Sequence, residues 1–412
     1  MILDFSVRNF GPFRDGVTLS MCATALKDDP DTVFECPSTK NGLVTSALIF
    51  GANASGKSYF VKALSALKFM LDRPYTNMDL FPSYQPFRLS GETANAPVEL
   101  RIRLMIGDVL YDYRISYNRN SVVSESLHHY PNGRRARVFV RTGPDSFEYG
   151  DKVAISKTNA ASAYAAVASA LNDDVCNTFR SEVMRRIVIL DGGPESLVQR
   201  SCDYISENDV AKRYAMQALR TADMGISDCH SVDREVPVSA LGSISASSQG
   251  MMPGKVRVRE IYLRHDHITD GVDEENAVFP IEIESSGTKA MFGMSGPLMD
   301  VLLNGGVLVV DEFGSDLHPL ITRWIAGQFS NGSNPNHAQL IANTHEISLM
   351  DTDELVRRDQ IWFVNKDRKY GNSDLYSLSD FKDVRKIKSI DKAYLAGRFD
   401  AIPSIRARDV IE

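Results

Sequence analysis

Two short stretches carry residues whose types and spacing can do chemistry together. Residues 51–58 read GANASGKS and match G-x-x-x-x-G-K-[ST] at every fixed position. Such a loop wraps phosphates. Its glycines let backbone N–H groups turn inward, and the following helix N-terminus adds a favourable partial positive charge. The expected cradle is Gly51, Ala52, Asn53, Ala54, Ser55, Gly56, Lys57, Ser58 and the next residue, Tyr59. Lys57 would reach the terminal phosphates, and the Ser58 hydroxyl would ligate Mg²⁺. The second stretch, VLVVDE at 307–312, is an apolar run that ends in two carboxylates. Asp311 suits a water-mediated hold on Mg²⁺, and Glu312 suits polarising an attacking water. Two adjacent carboxylates at a strand exit favour nucleotide hydrolysis over simple binding.

A third stretch lies between them. Ser285, Ser286, Gly287, Thr288 and Lys289 begin 26 residues (311 − 285) before Asp311 and precede an apolar, helix-like run. Hydroxyls and a bare glycine backbone at a helix N-terminus suit an anion. Ser and Thr are also ordinary helix caps, so an N-capped helix without a ligand stays open at this point.

These residues need elements to position them. SALIF, just before Gly51, reads as a strand, and SYFVKALSALKFML continues as an amphipathic helix with Phe60, Ala63, Leu64, Leu67 and Leu71 on one face. Residues 98–149 alternate with period two and predict an antiparallel meander. From about 160 the texture is helical, in ASAYAAVASAL, NTFRSEVMRRIVIL and DVAKRYAMQALRTAD. SISASSQGMMPGK at 243–255 has loop composition, after which VRVREIYLRH and VFPIEIES resume strand patterns. VLVVDE and QLIANT are short apolar runs of the kind buried in a parallel sheet. The expected organisation is therefore α/β. Residues 1–160 form the first half of a phosphate-loop domain with its meander, 161–275 an inserted, mainly helical lobe, and 276–412 the second half of the domain.

Composition narrows the class. The chain has 412 residues, 43% hydrophobic and 24% charged, enough for two lobes or one large domain with an insertion. A net charge of −7 and a pI near 5.7 argue against a surface that coats nucleic acid as a whole. Five cysteines lie scattered without a CxxC pair, so a disulfide scaffold or structural zinc site is not expected. No run reaches the ~18 apolar residues that span a bilayer. Asp4 stands where a secretory leader wants basic residues. A cytoplasmic location without membrane contact is the expectation.

GANASGKS, ESSGTKAM, VLVVDEFGSDLHP and IANTHE, in this order, resemble the ABC-type ATPases of the SMC, Rad50 and RecF group. The closer resemblance is to the AAA15/AAA21 ATPases related to the OLD and RloA proteins of bacterial phage defence. FSVRNFGPFRDGVTLSM, YQPFRL at 84–89, ALRTADMGI at 218–226 and YLAGRFDAIPSI add softer matches. The resemblance implies a P-loop ABC-type fold with a mixed sheet, an N-terminal antiparallel meander and an inserted helical lobe. It implies ATP and Mg²⁺ as cofactors and a homodimer or higher homo-oligomer closing around ATP. In that dimer Ser285, Ser286 and Gly287 would cap the γ-phosphate held by a second subunit, with Asp316 contacting the opposite protomer. His345 would be the γ-phosphate switch, catalytic beside Glu312 and Lys57. Gln85 would couple the metal held by Ser58 and Asp311 to the other lobe. The Ser-Ser-Gly-Thr-Lys sequence departs from the Leu-Ser-Gly-Gly-Gln form of transporters, so its role follows from position and chemistry. Arg8, Phe10 and Phe13 are guesses for the adenine seat.

Relatives of the OLD type carry a nuclease domain after the ATPase, whereas only 67 residues (412 − 345) follow His345. The expectation is an ATPase without its own nuclease that controls a separately encoded effector, a nuclease or toxin. A phage protein or nucleic acid would be the trigger. The alternative is a RecF/SMC-like repair ATPase clamping DNA through basic strips: NGRRARVFVR at 132–141, KVRVREIYLR at 255–264 and VRKIKSIDK at 384–392. A transporter subunit is a weaker third reading.

Overall fold

The computed structural model describes residues 1–26, 28, 30–74, 83–237, 255–266, 277–330 and 332–403. Residues 243–254 of the loop-like stretch SISASSQGMMPGK lie outside the described residues, as do the last two of YLAGRFDAIPSI. The chain divides into two units: Met1–Asp191, Val301–Ser315 and Thr322–Glu412 form the first, and Gly192–Asp300 with Asp316–Ile321 the second.

The first unit carries two sheets. One is the expected meander, extended by two N-terminal strands into seven antiparallel strands. Their spatial order is Ser146–Tyr149, Ala136–Gly143, Val122–Tyr130, Val109–Tyr117, Val98–Ile106, Ile2–Arg8, Val17–Ser20. Alternation decides its faces: Val98, Leu100, Ile102 and Leu104 are buried, while the intervening Glu99, Arg101 and Arg103 are not. Leu100 pairs with Val7 on one side and Ile115 on the other, so the buried rows line up across strands.

The second sheet is mixed, as expected. Ile187–Leu190, Val307–Val310, Gln339–Asn343, Ser46–Phe50 and Ile361–Lys366 run parallel in that spatial order, and Ser373–Ser377 closes one edge antiparallel. VLVV, QLIAN and SALIF are buried at every residue, which is why they read as continuous apolar runs. The helix Lys57–Asp72 buries Phe60, Leu64, Leu67 and Leu71. Phe60 meets Phe5 of the meander edge-on at 5.4 Å. The fully buried Gln339 amide bridges the sheets, accepting from the Ile2 N–H at 2.7 Å and donating to its carbonyl at 3.1 Å.

The change of texture at 160 does not mark a boundary between units, which falls at 191 instead. The helices Tyr164–Ala170 and Asp174–Arg186 stay with the first unit because they cap the meander. The Tyr164 and Ala165 N–H groups donate to the buried Glu125 carboxylate at 2.6 and 3.0 Å, and Tyr113 donates its hydroxyl to it at 2.9 Å. Burial pushes the Glu125 pKa up against these bonds.

The second unit is less helical than expected. It pairs the helices Pro194–Glu207 and Asp209–Thr221 with an antiparallel sheet of Ile226–Pro237, Lys255–His265 and Val278–Pro280. It also holds the start of the helix Ser286–Asn304, whose final residues belong to the first unit.

Candidate nucleotide site

The loop at 51–58 leaves the strand Ser46–Phe50 and enters the helix Lys57–Asp72, the strand–loop–helix arrangement the motif requires. Gly56 has φ +110°, and a Cβ there would stand 2.4 Å from Pro12 Cγ, so no other residue fits. The turn carrying Pro12 is itself fixed, since the Gly11 N–H donates to the Gln85 carbonyl at 2.6 Å. The Lys57 ammonium is held inside the loop, donating to the Gly51 and Ala52 carbonyls at 2.8 and 3.0 Å. Burial lowers its pKa to about 8, against the pull of the Asp311 and Glu312 carboxylates.

The acidic pair sits at the exit of the strand Val307–Val310. One neighbour from the adjacent strand holds both residues. The Asn343 side-chain N–H₂ donates to Asp311 Oδ1, and its side-chain carbonyl accepts the Glu312 N–H at 2.7 Å. The Phe313 N–H donates to the Asn343 backbone carbonyl at 2.9 Å. Glu312 has φ +56°, a left-handed conformation that costs a non-glycine residue about 1–2 kcal/mol. Next along the chain, Thr344 ties Ile49 to Phe313 through its N–H and hydroxyl. His345 follows, its pKa lowered by burial and by Lys57, with Glu312 opposing. The lowering favours the neutral imidazole, which donates one hydrogen bond and accepts another.

These parts line one cleft of about 1000 Å³ that includes Asn53, Ala54, Gly56, Lys57, Ser58, Tyr59, Gln85, Glu312, Asn343 and His345. Backbone donors and an ammonium on one wall face a carboxylate and an imidazole on the other. That arrangement can bind a polyphosphate and orient a water toward it. Among the described residues no three His, Cys, Asp or Glu side chains converge to cage a metal. Ser58 lines the cleft, and Asp311 is held by Asn343, which lines it too.

Ser285, Ser286, Gly287 and Asp316 belong to the second unit. There the Ser285 Oγ accepts the Thr288 N–H at 3.1 Å and caps the helix. A Cβ on Gly287 would stand 3.0 Å from the Asp316 carbonyl, so these two are neighbours within that unit.

Phe10 and Phe13 have no accessible surface and serve the core, while Arg8 pairs with Glu99 at 3.2 Å; none lines the cleft. The structure adds Asn343, Lys62, Arg88 and Lys366 to the cleft wall. Asn343 had a sequence signal, its place directly before Thr344 and His345. Lys62, Arg88 and Lys366 had none. The strip at 132–141 loses Arg141, which is buried and donates to the Ser162, Pro144 and Asn159 carbonyls.

The fold is the mixed α/β fold of P-loop, ABC-type ATPases, as in SMC heads. The profile of the family described as "AAA domain, putative AbiEii toxin, Type IV TA system" matches residues 46–351, about three quarters of the chain, and the chain belongs to that family. No curated protein sequence matches it. Among solved structures it is similar to an Smc head bound to the C-winged helix domain of ScpA. The TM-score is 0.51 at 15% identity, covering 94% of this chain and 99% of that one. The SMC head domain from Thermotoga maritima gives 0.42 at 13% identity, covering 91% and 98%. A Pyrococcus furiosus Smc head with an extended coiled coil, bound to the C-terminal domain of ScpA, gives 0.45 at 14% identity, covering 96% and 98%. Among the described residues no helix is long and apolar enough to cross a membrane.

Proposed function

We propose that the protein hydrolyses ATP with Mg²⁺ and uses the cycle to control another protein. The observation that carries this is the Asn343 amide holding Asp311 and Glu312 together, with Asn343 and Glu312 lining the cleft that contains Lys57. In this reading Lys57 and the 51–58 backbone bind the triphosphate, Ser58 and Asp311 hold Mg²⁺, and Glu312 polarises the water. His345 senses the γ-phosphate, and Gln85 relays the metal site to its lobe. Ser285, Ser286 and Gly287 complete the site of a second copy, with Asp316 beside them, so that ATP closes a homodimer and hydrolysis opens it.

The cellular role in this proposal is antiphage defence of the OLD/RloA-like kind. The ATPase acts as sensor and regulator in the cytoplasm, and a separately encoded nuclease or toxin is the effector. The family's description as a putative AbiEii toxin of a type IV toxin–antitoxin system supports a defence setting. The alternative, a DNA clamp, draws less support because Arg141 leaves the strip at 132–141 and Lys386 of another is paired with Asp383 at 2.7 Å. The test is co-purification of the Glu312→Gln protein from its native host with ATP. A stoichiometric second protein is the expected result. A dimer retaining only salt-sensitive DNA would replace this role with the clamp.

A further inference from the structure

The strand Ile361–Lys366 returns to Ser373–Ser377 through a tip held by several backbone hydrogen bonds. The Asp367 carboxylate accepts the Lys369 and Tyr370 N–H groups at 2.8 and 2.7 Å. The Gly371 N–H donates to the Asp367 carbonyl at 2.9 Å, and the Asp367 N–H to the Asn372 carbonyl at 2.8 Å. Such a tip is ordered in advance, yet it holds out Tyr370 at 55% exposure. Beside it lies Leu89, 70% exposed, whose Cδ1 is 2.6 Å from where a Cβ on Gly371 would stand. The ordered tip and the neighbouring Leu89 segment thus present two large side chains to water close together, a patch that suits an occupant.

The surroundings say which. Tyr370 and Leu89 line a cavity of about 540 Å³ with Arg14, Lys369 and Arg368 on its rim. Phe87, Leu89 and Gly371 line both this cavity and the cleft of the phosphate loop, so the two spaces run together. A nucleoside triphosphate has the matching form, with an anionic tail at one end and a flat, apolar-faced base at the other. Lys369 Nζ lies over the Tyr370 ring, 4.9 Å from its centroid, and the side chain is 55% exposed.

We infer that Tyr370 and Leu89 form the seat for the base and ribose of the nucleotide whose triphosphate lies on the 51–58 loop. Tyr370 stacks on the base, and Leu89 closes the seat toward the loop. This rests on the phosphate-loop reading, and the two can fail separately.

The experiment is calorimetric titration of full-length wild type, Tyr370→Ala, Tyr370→Trp and Leu89→Ser with Mg-ATP and with inorganic tripolyphosphate, which has no base. Tyr370→Ala is expected to weaken ATP about ten- to hundredfold while leaving tripolyphosphate unchanged, and Tyr370→Trp to restore ATP. Leu89→Ser is expected to weaken ATP alone. ATP affinity unchanged in both Tyr370→Ala and Leu89→Ser would overturn the seat, as would equal weakening of ATP and tripolyphosphate. Wild type binding neither ligand would overturn the phosphate-loop reading itself.

Discussion

The side-chain carbonyl of Asn343 accepts the backbone N–H of Glu312 at 2.7 Å while its N–H₂ holds Asp311. One amide thus fixes the carboxylate that suits the metal and the backbone of the one that suits the water. Asn343 is itself 1% exposed, so removing its amide leaves a buried gap and two partly buried bonds unmade. Asn343→Ala should cost about 1–3 kcal/mol of stability. It should lower kcat tenfold or more, with ATP affinity changing far less. Steady-state turnover alongside direct binding checks this. Equal losses in both would reduce Asn343 to a structural group.

Glu312 at φ +56° is strained, and the strain has a signature. At an ordinary position glycine is less stable than alanine by about 0.5–1 kcal/mol. Here Glu312→Gly should match or exceed Glu312→Ala, because only glycine adopts this conformation without strain. Chemical denaturation of the two variants decides it, and the usual order would remove the strain argument.

Lys57 predicts a conflict between function and stability. Its folded pKa is about 8, below the ordinary 10.5. Between those values the unfolded chain keeps a proton that the folded chain has released, so stability rises with pH across that window. Below about pH 8 the buried charge carries its full cost. Lys57→Met should therefore lose ATP binding yet melt higher than wild type at pH 7, with the gap narrowing by pH 9.5. Thermal scans at both pH values test the sign. A lower melting point at pH 7 would mean that the bonds to Gly51 and Ala52 outweigh desolvation.

Completion of a site by a second copy also has a direct readout. A Ser286→Arg chain mixed with a Lys57→Ala chain should regain part of the activity that each lacks alone, since one composite site escapes both changes. Mixed dimers formed without any regained turnover would count against it.

Local chemistry made some parts legible. GANASGKS, VLVVDE and NTHE mark their positions because a glycine turn from strand into helix and the exits of buried parallel strands admit few residue types. The meander announced itself through period-two burial from Val98 to Leu104. Other parts were hidden because tertiary packing decides them. The alanine-rich helix Tyr164–Ala170 reads as the start of a new lobe, yet it joins the meander through Glu125, 39 residues earlier. Phe10 and Phe13 have the composition of a base seat but face the core. Tyr370 lies 313 residues (370 − 57) beyond Lys57, and the folded hairpin brings it to the cavity that runs into the cleft.

The central claim is that Glu312 acts in hydrolysis rather than in binding. The measurement is ATP affinity and turnover of Glu312→Gln beside wild type. Retained affinity with turnover reduced about a hundredfold or more is the predicted result. A variant that hydrolyses ATP at the wild-type rate would contradict it.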